Sequence, residues 1–160
     1  MNELALARVL HVLGVVFWIG GVAMVTTVIL PTVLRFATPE ERIEFFEKIE
    51  HRFAWQARAT TLITGLSGFY MLEVMQAWDR FSISGYWWMH AMVLVWVLFT
   101  LVLFVLEPLV LRKHFLRRAA IYPEQVFRWI QRMHWVLLLL SLVTVAGAVA
   151  GSHGWLLVHY

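Results

Sequence analysis

The chain has no cysteine in 160 residues. Disulfides, Cys-ligated zinc, iron–sulfur clusters and thiolate catalysis are therefore excluded. Charge is nearly as scarce: Asp, Glu, Lys and Arg supply 14% of the residues, against roughly 25% in a soluble domain. No nucleotide-binding loop, HExxH pair or Ser-His-Asp order is present, so hydrolase chemistry has nothing to stand on. What is there instead is apolar. Hydrophobic residues make up 61% and mean hydropathy is +0.74. A soluble domain of this length has no interior large enough for that much apolar surface, so the surplus must face lipid or a partner. Disorder, a secreted scaffold and an ordinary cytosolic enzyme are excluded on the same ground. The expectation is an all-α integral membrane protein of one domain, residues 1–160.

Four apolar stretches carry that expectation. Val9 to Leu34, Phe81 to Leu106 and Met133 to Tyr160 are free of Asp, Glu, Lys and Arg over 26, 26 and 28 residues. A spanning helix needs about 20 apolar residues, so these three qualify outright. Ala59 to Leu72 gives 14 more. It reaches spanning length only if Arg58 snorkels at one end and Glu73 sits in the membrane near the other. A barrel would need alternating short strands, which are absent. The spacing predicts a four-helix bundle with spans over approximately 7–34, 55–78, 84–108 and 130–153. The first run is longer than a signal-peptide core and lacks a basic start before Arg8, so it reads as a span and not as a cleaved leader.

Basic residues set the orientation. Arg35, Arg42, Lys48, Arg52 and Arg58 lie between the first two spans, and Arg112, Lys113, Arg117, Arg118, Arg128 and Arg132 between the last two. The opposite side has only Arg8 and Arg80. The imbalance places both connections in the cytoplasm and both termini outside. The basic residues meet anionic headgroups there. They form no groove with stacking aromatics, so nucleic acid is not expected as a partner. Thr38, Pro39, Glu40 and Glu41 read as a cap, a first-turn proline and an acidic first turn. Ile43, Phe46, Ile49 and Phe53 then repeat at helical spacing, so the first cytoplasmic connection is a helix running on into the second span. Pro123-Glu124 starts the last helix in the same way. Gly14, Gly20 and Gly21, Gly65 to Gly68, and the Gly147–Gly151 pair mark close packing or room for a flat cofactor. Most tryptophans fall near span ends, as an interfacial belt does.

The few ionisable residues within the spans are the candidate site. His11, His90, His153 and Glu73 fall at a similar depth near the outer ends of four different spans. Buried polar groups need partners, so they should face the bundle interior. Neutral imidazole ligates haem iron, copper, zinc and non-haem iron. A haem b constellation can be assembled: His11 and His90 as axial ligands, Gly14 and Trp18 on the face of His11, and Arg8 and Arg80 as cations for propionates. Copper fits part of the same picture, with Met71, Met75, Met89 and Met92 beside His11, His90 and His153 as a soft ligand set. An inner pair, His134 and Glu107, is a second candidate: a helix-to-helix hydrogen bond, a proton entry or half of another haem site. His51 and His114 read as headgroup-level residues.

The stretch LHVLGVVFWIGG (Leu10 to Gly21), the segment FEKIEHRFA before a helix containing GLSG, and YWWMHAMVLVW opening the third span resemble a group of small bacterial membrane proteins. That group contains the membrane-type protoporphyrinogen oxidase and the membrane domain of the copper-resistance D proteins. WWMHAM, FVLEP, MHW and AGSHG resemble a sister branch of that group. The resemblance implies a small helical protein binding haem b with His11 as axial ligand. The oxidases also carry a required lysine early in the third helix. His90, Ala91 and Met92 stand at that place here, with Met92 the nearest match. The expected function is a haem b redox protein passing electrons between a membrane donor such as quinol and a periplasmic acceptor, or oxidising porphyrin. The alternatives are a copper-handling protein and a structural subunit of a membrane complex, with a homo-oligomer as a further partner expectation.

Overall fold

The computed structural model describes residues 3–111, 117–119 and 121–155, and every regular element among them is helical. We number them α1 (Glu3–Met24), α2 (Leu30–Phe36), α3 (Pro39–Val74), α4 (Trp87–Leu101) and α5 (Pro123–Ser152). A π-helical turn, Val25–Ile29, joins α1 to α2, and a π-helical segment, Val102–Leu111, extends α4. Short 3₁₀ turns, Trp78–Ser82 and Ser84–Tyr86, connect α3 to α4.

Both π segments have a proline to account for them. Pro31 and Pro108 lack an N–H, and each ring crowds the carbonyl four residues earlier. Widening the turn relieves that crowding without breaking the rod. Ahead of Pro31, the Leu30 N–H reaches back to the Val25 carbonyl. Thr26 and Thr27 donate their hydroxyls to the Val22 and Ala23 carbonyls at 2.6 and 2.7 Å. The chain from Glu3 to Phe36 therefore remains one rod.

α3 begins as its sequence predicts. The Thr38 hydroxyl accepts the Glu41 N–H and the Glu41 carboxylate accepts the Thr38 N–H, a complete capping box with Pro39 in the first turn. Arg42 turns back and donates to the Ala37 and Leu34 carbonyls at 2.9 and 3.0 Å, closing the end of α2. α3 then runs unbroken for 36 residues, about 54 Å at 1.5 Å per residue. It stops at Val74, short of the expected residue 78. Gln76 adopts φ +49° and the Ala77 N–H bonds the Leu72 carbonyl, a left-handed cap that turns the chain away.

Three stretches are long and apolar enough to cross a membrane: Glu3–Phe36, Ser84–Leu109 and Pro123–Ser152. Their outward faces carry apolar side chains such as Val12, Leu94 and Val143, each more than half exposed. A multi-pass membrane protein in contact with lipid follows from these faces.

α1 packs along α3, α4 packs along α5, and the two pairs meet less closely. We call the end where α1 begins the upper end. The lower end holds a core of Val25, Leu30, Val33, Ile43, Phe46, Phe127 and Ile130. A second core, Trp18, Ile19, Val22, Val95, Phe99 and Leu138, lies at mid-height. The glycine seams are seated by the chain's own side chains. A Cβ on Gly14 would strike the Thr64 hydroxyl, one on Gly21 the Phe53 ring, and one on Gly65 the Trp96 indole. Gly147 and Gly151 accommodate the indoles of Trp87 and Trp88, so this GxxxG receives two aromatic rings.

Candidate functional site

Above the mid-height core the two helix pairs part around a cavity of about 730 Å³. That volume lies within the roughly 300–1,000 Å³ usual for small-molecule and cofactor sites. α1, α3, α4, α5 and the 77–81 connection all contribute walls, and the lining is mostly apolar.

His11 is the imidazole on this cavity. Its Nδ1 lies 2.9 Å from the Thr64 carbonyl on α3. A carbonyl only accepts, so Nδ1 carries the proton and Nε2 of the neutral ring carries the lone pair. The Ser67 hydroxyl stands 3.3 Å from the same Nδ1. Among the described residues nothing bonds Nε2. Gly68 makes the arrangement possible, because a Cβ there would lie 3.2 Å from the His11 ring. A histidine whose ring N–H is fixed by a backbone carbonyl, with its second nitrogen free, has the arrangement of metal-ligating imidazoles.

Arg8 and Arg80 also line the cavity. Arg8 is exposed, while Arg80 is half-buried with its guanidinium 5.5 Å from the Tyr86 ring centre. Trp18 lines the wall below His11, is 3% exposed, and packs edge-on against Phe99 at 4.8 Å. Its indole nitrogen is buried with no hydrogen-bond partner among the described residues. Met71 from α3, Met75 just past its end, and Met89 and Met92 from α4 line the same space.

Other expected site residues lie elsewhere. His90 is exposed outside the lining, its ring edge-on to Phe81 at 5.2 Å, so the His11–His90 pairing is not formed. His153 follows the last turn of α5, exposed, with Nδ1 2.8 Å from the Val149 carbonyl. Gly14 is buried against α3 away from the cavity and serves packing. Among the described residues no three His, Asp or Glu side chains gather as a metal cage.

The inner pair is corrected as well. Glu107 pairs with Arg58, and His134 bonds the Ile130 carbonyl of its own helix at 3.0 Å, with its ring edge-on to Phe46. Arg58 was expected to snorkel; an acceptor within reach on the neighbouring rod holds it instead. Glu73 is exposed at the end of α3, where it accepts the Trp78 indole N–H at 2.9 Å. His114 and His159 lie outside the described residues. Sequence reasoning missed Thr64, and it read Ser67 and Gly68 only as part of a small-residue seam, not as the residues that orient His11. The small-polar run TTLITGLSG on α3 was the signal, and its i, i+3, i+4 spacing puts positions 64, 67 and 68 on one face.

No family model, curated protein or solved structure matches the chain.

Proposed function

We propose that the protein is a haem b-binding redox protein of the bacterial inner membrane, with four spans and both termini on the periplasmic side. The observation that carries this reading is the His11 imidazole, fixed as the Nδ1–H tautomer with Nε2 free on a large apolar cavity. The rest of the lining fits the same group. Arg8 and Arg80 at the upper rim would suit two carboxylates, the apolar walls would suit a macrocycle, and the thioethers of Met89 and Met92 on α4 could hold the group beside His11. Bound haem would supply one-electron chemistry, and the chain would tune it through ligation, burial and propionate pairing. His11 holds its place through Thr64 and Ser67, the two arginines would pair with the carboxylates, and the apolar walls would exclude water. Electrons would pass between a membrane donor such as quinol and a periplasmic acceptor, or leave a porphyrin substrate. The positive-inside bias supports the orientation. The pairing of α3 with α1 along its length supports α3 as the fourth span. Membership in the protoporphyrinogen oxidase and copper-resistance D group belongs to the same proposal.

The test is a visible spectrum of detergent-purified protein expressed with ample haem. A Soret band that is lost in His11→Ala and retained in His90→Ala is the expected result. Absence of the band, or indifference to His11→Ala, overturns the reading. One observation favours a second reading: His11 and four methionines share the cavity, a soft set suited to Cu(I). Metal analysis of the same sample separates the two, since copper without iron replaces the haem reading with this one.

A further inference from the structure

Below the cavity, α3 and the α4 rod are joined by polar contacts. The Trp96 indole N–H donates to the Thr61 carbonyl at 2.9 Å. About one turn lower on α3, Arg58 donates through Nε to the Leu103 carbonyl at 3.0 Å and pairs through its terminal nitrogen with Glu107. The side chains of both ion-pair members are about four-fifths buried.

The choice of Leu103 as acceptor has a backbone explanation. Leu103 lies in the π-helical segment Val102–Leu111. In π register a carbonyl accepts from the residue five positions on, which for Leu103 is residue 108. That residue is proline and has no N–H. A backbone carbonyl left unpaired away from water is costly. We infer that Arg58 is a positioning residue that replaces the N–H missing from Pro108 and thereby sets the spacing of α3 and α4 beneath the cavity. One planar guanidinium serves both acceptors: Nε satisfies the orphaned carbonyl while the terminal nitrogen neutralises Glu107. Lysine has a single nitrogen and no fixed fork for that double duty. The joined seam ends at Gly65 and Trp96, where the cavity begins. The inference goes beyond the proposed function and holds whatever the cavity binds.

A double-mutant cycle on the full chain in detergent tests it, using Arg58→Met, Pro108→Ala, the pair together, and Glu107→Gln. Alanine at 108 supplies the N–H that the Leu103 carbonyl lacks in π register, and if the segment relaxes to α register the Glu107 N–H becomes its donor. The expected result is a fall of about 5 °C in thermal midpoint for Arg58→Met and a loss less than half as large in the Pro108→Ala background. Spin labels at Leu66→Cys and Leu94→Cys, two lipid-facing positions 71% and 57% exposed, read the α3–α4 distance. That distance should change in Arg58→Met and return in the double variant. Full additivity of the two substitutions overturns the inference. So does a Glu107→Gln variant that reproduces the whole effect, because the ion pair would then be Arg58's entire role. If Arg58→Met does not fold, Arg58→Lys carries the test. It should lose stability in the native background and regain it with Pro108→Ala; no recovery overturns the inference.

Discussion

His11 shows how little separates a ligand from a packing residue. Its ring is placed by one carbonyl, one hydroxyl and the absence of a side chain at position 68. Gly68→Val puts branched carbon where the ring lies, because even a Cβ would stand 3.2 Å from Cε1. The expected outcome is loss of the His11-dependent Soret band, or of bound copper, with the far-UV helical signal retained. Comparing the two spectra of one purified variant checks it. At the upper end of α3, Gln76 holds φ +49° without being glycine. A non-glycine residue in that region costs on the order of 1 kcal/mol. Gln76→Gly should therefore stabilise the protein by about 0.5–1 kcal/mol, visible as a higher thermal midpoint in detergent.

Elements are where sequence and structure can be compared most directly. The N-cap was legible from Thr38, Pro39, Glu40 and Glu41 because its chemistry is local; the structure adds the return bond from the Thr38 N–H to Glu41 that completes a capping box. Its hydrogen bonds from Thr38 hold the Glu41 carboxyl below its ordinary value of 4.5. A carboxyl depressed in the folded state stabilises above its unfolded pKa and loses that contribution as pH falls through the folded one. Thr38→Ala should cost about 1 kcal/mol near neutral pH. Glu41→Gln removes the titrating carboxyl, so its gap from the parent should narrow as pH falls below 4.5, as unfolding midpoints from pH 7 down to pH 3 will show. Depth was legible in part, since helical rise is fixed at 1.5 Å per residue: His11, Arg80 and the four methionines line one cavity, with Trp18 below them, while His90, His153 and Glu73 stay outside its lining. Azimuth was not. Whether His90 or its neighbour Met89 faces inward depends on how the indoles of Trp87 and Trp88 seat on Gly147 and Gly151. That is a long-range contact with no local signature. The Arg58 partner was illegible for the same reason, because it depends on a π register that becomes visible only once Pro108 is placed against α3.

For the whole molecule, the absence of cysteine is an experimental convenience. In cells carrying Glu44→Cys or Asp79→Cys, an impermeant thiol reagent reads the topology on an unlabelled background. Asp79→Cys should react from the periplasm and Glu44→Cys only after the inner membrane is permeabilised. Equal labelling of both would overturn the four-span orientation. The close pairing of α1 and α3 also bears on how such a chain enters lipid. In the four-span reading, α3 brings Arg58 into the bilayer and falls below the apolarity of the other three rods. A segment like that partitions poorly alone, whereas α1 leaves the ribosome first and inserts on its own. The Gly14 face of α1 would then be a docking strip during biogenesis, and Gly14→Leu would do its damage before any tertiary structure exists. The defect would appear in newly made chains with α3 stranded on the cytoplasmic side, even where the finished protein tolerated the change.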